Sequence, residues 1–408
     1  MTVDHVDRGV RPVRGPVRRA ERALAPDLGR GAMLLIIALA NAAGVVFAGE
    51  PGAEPSPHGV DRGVNLAMFT LVHARGYPVF AVMFGYGLVQ LARRQAAAGA
   101  PRTAVRSVLL RRNAWLVVFG FVHATLLYYG DFLGAYGLVG VVMTLVLLDR
   151  SDRVHRVVTW LWALCAVEVL VLGTLVVRAL LSGSAPGSDA AVPSRHVDSL
   201  AAPDYLHGML DRLGEWPTHT MTVLPFILIT WLGMWAARKQ VLEDPVRHQR
   251  LLRRTAVAGL GLAVAGGLPL ALVAAGWLHV DASTASLMST LYGASGMFAG
   301  PGYVAVFGLI ALRVSRATPG PLVKSLAALG QRSLSGYLFQ SVAWLVLLAP
   351  YSLGLADTFG GGSVTAVLLA VAVWLVSVAG AVWLDRHGRT GPAEWLLRRL
   401  TYGRRDNR

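Results

Sequence analysis

Six polar side chains fall where this sequence is otherwise apolar: Asn41, His73, Arg75, His123, Asp131 and Tyr136. Ionisable and hydrogen-bonding groups in such places are costly and often functional. A neutral imidazole at His123 could take a proton from a hydroxyl or an amine. Asp131 could hold the tautomer of that ring, or stabilise its charged form, if the two chain segments approach. Each residue also has a plainer role. His123 could join neighbouring helices by a hydrogen bond, and Asp131, directly before an apolar run, could cap a helix. Spacing alone leaves both roles open. No metal centre is expected: His196, His207 and His219 are scattered, and the one cysteine, Cys165, permits neither a thiolate site nor an internal disulfide.

The elements that must position these groups are membrane helices. The 408 residues are 54% hydrophobic and only 15% charged, with mean hydropathy +0.52. Soluble domains carry roughly 25% charged residues. Ten apolar stretches read as spans: 32–48, 64–92, 114–129, 132–148, 157–181, 218–237, 256–278, 286–312, 333–349 and 364–384. Most approach or exceed the roughly 18–20 residues that cross about 30 Å of hydrocarbon. The second is interrupted by His73, Arg75 and Pro78, and the eighth is rich in glycine.

The net charge of +15 would suggest nucleic acid in a soluble protein, but no recognition motif accompanies it. Instead, 32 of the 38 basic residues fall in alternate segments between the stretches. The positive-inside rule then predicts an all-α bundle of about ten helices with both termini in the cytoplasm, multi-pass in the plasma (inner) membrane. A basic segment 1–31 precedes the bundle of 32–385, an outer loop covers 182–217, and a basic interfacial segment 386–408 follows. The loop is long enough to form a lid or short surface helices. In this topology His123 lies roughly 9 Å and Asn41 about 10 Å below the outer surface, with His73 and Arg75 at about 14–17 Å. With Asp131 and Tyr136 they could converge on one polar pocket.

A resemblance enters with residues 111–140. Arg111, Arg112, Leu116, Gly120, His123, Leu126, Gly130, Asp131, Leu133, Tyr136 and Gly140 follow a signature of the YeiB-like family (domain of unknown function 418), with Phe132 in place of the usual isoleucine. Asp27–Gly31 with Asn41, Phe80–Gly87, Gly330–Ser341 and Gly391–Gly403 resemble further blocks in the same order. Ser335-Gly336 stands where Thr-Asn is common, and His73-Ala74-Arg75 where a Gly-Lys or similar pair is usual.

The family is similar to membrane acyltransferases of the heparan-alpha-glucosaminide N-acetyltransferase type. That resemblance implies transfer of an acyl group from cytoplasmic acyl-CoA to an acceptor at the outer face, with no bound cofactor. Arg30 would meet the CoA phosphates; equally, it could anchor to lipid headgroups. Asn41 stands where a related branch has histidine, which would move the base to His123 or His73 or remove acyl chemistry altogether. Tyr337 and Gln340, three residues apart, could line the cavity or bond neighbouring helices. Glu394 reads as part of an interfacial amphipathic segment. Two rival classes are a small-molecule transporter or exporter, favoured by the glycine-rich eighth stretch and the intramembrane His73 and Arg75, and a non-catalytic envelope protein. The lipid bilayer is the expected partner; oligomeric state has no signal in the sequence.

Overall fold

Arginine-flanked apolar runs become helices almost without exception. The computed structural model describes residues 24–183, 189–223, 226–314 and 319–403. In chain order the helices are α1 (Leu24–Val46), α2 (Val60–Leu71), α3 (Gly76–Ala97), α4 (Arg102–Leu126), α5 (Leu133–Val146), α6 (Asp152–Ser182), α7 (Tyr205–Val223) and α8 (Ile227–Arg238). They continue as α9 (Gln249–Ala274), α10 (Ala282–Gly296), α11 (Ala299–Val314), α12 (Pro321–Gly330), α13 (Ser333–Leu347), α14 (Leu355–Thr358), α15 (Ser363–Arg386) and α16 (Pro392–Tyr402). Among the described residues the sheet is a single antiparallel pair, β1 (Gly49–Glu50) with β2 (Arg195–His196), in which Gly49 faces His196.

Six helical segments are long and apolar enough to cross a membrane: α1, α2 with α3, α6, α9, α10 with α11, and α15. The bent pair α7–α8, angled by 54°, would make a seventh. This is fewer than the ten expected crossings, for visible reasons. The helices α5 and α13 have 14 and 15 residues, roughly 21 and 22 Å at 1.5 Å per residue, short of a full hydrocarbon core. The helix α4 is long, but its first half carries Arg102, Arg106, Arg111 and Arg112.

The expected basic segment 1–31 begins outside the described residues, which start at Leu24; its last part is already α1, so Arg30 belongs to a helix. Positions 184–188 of the outer loop and 404–408 of the terminal segment also lie outside the described residues. The rest of the loop holds β2, a 3-10 turn at Asp198–Leu200 and the first part of α7.

The second stretch breaks at Val72–Arg75, between α2 and α3, where Ala74 takes φ 58°. Backbone carbonyls freed by a break inside a membrane must find partners. Here the Leu71 carbonyl accepts from the Tyr303 hydroxyl at 2.9 Å, and the His73 carbonyl accepts from Tyr292 at 2.7 Å and from Arg75 Nη1 at 3.0 Å.

Glycine sets the closest helix crossings. A Cβ on Gly330 would lie 1.7 Å from the Asp27 carbonyl oxygen, so α12 meets α1 backbone to backbone. One on Gly120 would lie 2.0 Å from Gly134 N and 2.4 Å from Asp131 Oδ2. Small residues at such contacts give membrane helices their van der Waals packing. Gly120 therefore lets the turn bearing Asp131 seat on α4, one turn before His123.

Candidate functional site

The hairpin of α4 and α5 brings His123 to Asp131. The Asp131 carboxylate accepts backbone N–H bonds from Leu133 at 3.0 Å and Gly134 at 2.7 Å, the cap expected from its position before α5. Its Oδ1 also lies 2.9 Å from His123 Nδ1. So the same carboxylate caps α5 and bonds the His123 ring. The other ring nitrogen, Nε2, lies 2.8 Å from the Ser341 hydroxyl on α13. With the carboxylate ionised and the ring neutral, Nδ1 would carry the proton and Nε2 would be left to accept the serine O–H. His123 is 2% exposed, and Asp131 and Ser341 are 0%.

Beside this cluster runs a cavity of about 740 Å3. Its wall follows α1 from Pro26 to Asn41, roughly 22 Å of helix. Along α3 the lining residues include Tyr77, Phe80, Phe84, Gly87, Leu91 and Arg94, which follow one face at helical spacing. That face changes from aromatic to cationic. The arginine-rich end gathers Arg30, Arg93, Arg94, Arg112 and Arg398 against Asp27, Glu243 and Glu394, an excess of two positive charges. Arg30 Nη1 stands 3.6 Å from Asp27 Oδ1. Glu243 accepts from Gln90 at 2.7 Å and from the Tyr86 hydroxyl. Glu394 of α16 accepts from the backbone of Leu334 at 2.7 Å and Ser335 at 3.1 Å, and from the Ser335 hydroxyl at 2.5 Å. It thereby holds the start of α13, while Leu397 and Arg398 of the same helix line the cavity.

Eight of the nine candidate residues separate into three groups, with Gln340 beside the second. Arg30, Asn41, Tyr136 and Tyr337 line the cavity. Tyr136 donates to the Tyr77 carbonyl at 2.9 Å. Tyr337 donates to the Gly130 carbonyl at 3.2 Å, and its ring centroid lies 4.8 Å from that of His123. His123 and Asp131 form the second group; they are absent from the lining, with Tyr337 as their link to the wall. Gln340 is buried nearby and donates to the Leu34 carbonyl at 3.3 Å. The third group, His73 and Arg75, sits at the α2–α3 break and faces away. Arg75 Nη2 donates to the Ala263 carbonyl at 2.9 Å, and the guanidinium lies 4.1 Å from the Tyr292 ring centroid. Only Ala74 between them reaches the cavity. The single polar pocket anticipated from depth is thus two clusters, one at the cavity and one turned toward α9 and α10.

Sequence reasoning passed over three contributors. Ser341 closed one of the resembling blocks, but a serine in an apolar helix carries no signal of its own. Arg112 and Arg398 fall within resembling blocks and among the basic flanking charges, but neither was picked out as a site residue. The aromatic face of α3 ending in Arg93-Arg94 was visible as a 3–4 spacing, had the run been read for direction. No group of three or more His, Cys, Asp or Glu residues placed to hold a metal ion occurs among the described residues.

Residues 236–404 match the family described as "Protein of unknown function (DUF418)". The chain is 26% identical over 346 residues to "Uncharacterized protein YxaH" of Bacillus subtilis (strain 168), covering 79% of this chain and 78% of that protein. It is 26% identical over 409 residues to "Uncharacterized protein YeiB" of Escherichia coli (strain K12), covering 93% and 96%. The chain is thus similar to YeiB and YxaH over most of its length, and to the family model over its C-terminal part.

Proposed function

We propose that this protein is a membrane acyltransferase that takes an acyl group from acyl-CoA on its arginine-rich side and passes it to an acceptor from the opposite face. The supporting observation is the polarity gradient of one cavity: five arginines at one end, an aromatic and aliphatic interior, and a wall residue, Tyr337, whose ring lies tilted 4.8 Å from the imidazole of a buried His123–Asp131 pair. An amphiphile with several phosphates and an acyl tail has that charge distribution. Phosphate meets arginine by charge-assisted hydrogen bonds, and the thioester end would extend along α3 toward Tyr77 and Asn41. His123 would act as the base, oriented by Asp131.

The topology proposed with it has ten crossings and cytoplasmic termini, in the plasma membrane. Short α5 and α13 would cross as parts of the packed bundle, where neighbouring helices rather than lipid cover their ends. After Cys165→Ala, single cysteines at Ser56 and Thr358 should react with an impermeant reagent in intact cells, and cysteines at Thr103 and Gln249 should not.

Donor binding tests the function directly. Calorimetric titration of purified protein with acetyl-, succinyl- and longer acyl-CoA should show binding that weakens with salt. Arg112→Gln should weaken it about 10- to 150-fold, the loss of one charge-assisted bond of about 1.5–3 kcal/mol. No binding of any of them at about millimolar concentration, in folded protein, would overturn the reading. Transport would then lead, favoured by the discontinuous helices α2–α3 and α7–α8, a feature of transporter binding sites.

A further inference from the structure

We infer that Ser341 is the acyl-accepting nucleophile of a Ser341–His123–Asp131 triad, so that the acyl group crosses the protein as a serine ester; this rests on the acyltransferase reading above. Three observations carry it. The first is chemical order. Asp131 Oδ1 is 2.9 Å from Nδ1 and the serine hydroxyl 2.8 Å from Nε2 of one imidazole. With two backbone N–H groups already donated to it, the carboxylate serves as acceptor and fixes the proton on Nδ1. Nε2 is then the basic nitrogen, and it faces the one hydroxyl it could deprotonate.

The second observation is seclusion. All three side chains are buried to 2% exposure or less. A serine ester placed there is kept from water, which a transfer between two faces requires. The third is position. Leu334, Tyr337 and Ser341 follow one face of α13 at intervals of three and four residues. Leu334 and Tyr337 line the cavity, and Ser341 stands one turn beyond. Its hydroxyl also lies 3.4 Å from the Tyr337 carbonyl. The Tyr337 ring, held at its hydroxyl by the 3.2 Å bond to Gly130, is the cavity-lining side chain that lies 4.8 Å from the His123 ring.

In the first half-reaction the Ser341 oxygen attacks the thioester carbonyl carbon. The C–O bond forms, the C–S bond breaks, and the serine proton moves through His123 Nε2 to the departing sulfur, giving CoA thiol. In the second, an acceptor hydroxyl or amine attacks the serine ester. Its proton passes to Nε2 and returns to the Ser341 oxygen as the acyl group leaves.

The test omits the acceptor. Purified full-length protein, in bilayer discs, is mixed in separate runs with acetyl-, succinyl- and palmitoyl-CoA, and free thiol and intact mass are followed. With at least one donor, thiol release should approach one equivalent, with an equal amount of acyl adduct mapped by peptide mass spectrometry to Ser341. Ser341→Ala should bind the donor yet release no thiol and carry no adduct. Ser341→Cys should carry an adduct that neutral hydroxylamine removes, which keeps the test valid should the alanine variant fold poorly. Donor binding by calorimetry with no thiol release and no adduct would overturn the role of Ser341 while leaving the acyl-CoA reading intact. No donor binding at all would overturn both.

Discussion

Two buried histidines flank the same turn and are treated oppositely. His123 and His219 are each 2% exposed. Both ring nitrogens of His123 are engaged, by Asp131 and Ser341. Neither nitrogen of His219 has a hydrogen-bond partner among the described residues; its neighbours are the Tyr129 and Phe132 rings, edge-on at 5.7 and 5.3 Å. Burial therefore does not distinguish a histidine with both ring nitrogens engaged from one packed only among aromatic rings. What distinguishes them is the partner set. A carboxylate on one nitrogen and a hydroxyl on the other fixes a tautomer and aims a lone pair, whereas ring contacts fix only a shape.

The largest effect that could break this contrast is on acyl transfer. His123→Ala should lower the rate of thiol release from acyl-CoA by about 10²- to 10⁴-fold, the usual worth of a positioned base. His219→Ala, in the same assay, should stay within about threefold of the parent. Equal losses in the two variants would show that burial and not partnering matters, and the contrast would collapse.

Asp131→Asn comes next, because it separates orientation from capping. An amide at this place can still accept one backbone N–H bond, but its NH2 opposes a second donor. We expect a loss of about 1–3 kcal/mol in stability from the unsatisfied N–H group, read by thermal unfolding in detergent. Transfer should fall by more than the unfolded fraction accounts for, since the ring would lose its fixed tautomer. A variant with parental transfer and reduced stability would leave Asp131 as a cap alone.

A smaller effect sharpens the geometry. Gly120→Ala pushes a methyl to 2.0 Å from Gly134 N, so the turn must move off α4. Overpacking of this kind costs about 1–3 kcal/mol. The displaced Asp131 should reduce transfer even in the folded fraction, while donor affinity holds, because Gly120 is remote from the arginines. Unchanged thermal stability would contradict the tight α4–α5 contact.

Much of this architecture was legible beforehand because membrane helices announce themselves. Long apolar runs and the arginines between them follow from the cost of burying charge in hydrocarbon, a local property of each segment. The break at His73–Arg75 was legible for the same reason, as charge and proline inside an apolar run. The number of crossings was less so. Segments such as α5 and α13 are apolar but short, and whether they span depends on what packs around them rather than on their own composition. The grouping of site residues failed for a related reason. Depth along a helix can be counted from residue numbers, but the direction a side chain faces depends on which helix lies beside it. His73, Arg75 and Asn41 were therefore placed at similar depths without any means of telling that Arg75 turns to α9 and α10 while Asn41 lines the cavity.

The sequence by itself determined a helical membrane protein and offered Asp131 as a cap within eight residues of His123, leaving open whether the two would meet. Only the tertiary structure decided that Ser341, 218 residues further on, meets the free nitrogen of that histidine, and that arginines from α1, α3, α4 and α16 share one cavity mouth. Contacts between distant segments come from helix packing, which depends on glycine at crossings such as Gly120 and Gly330 and on the surfaces they bring together. No local pattern encodes that pairing, because each helix alone has the same apolar character whichever neighbour it meets.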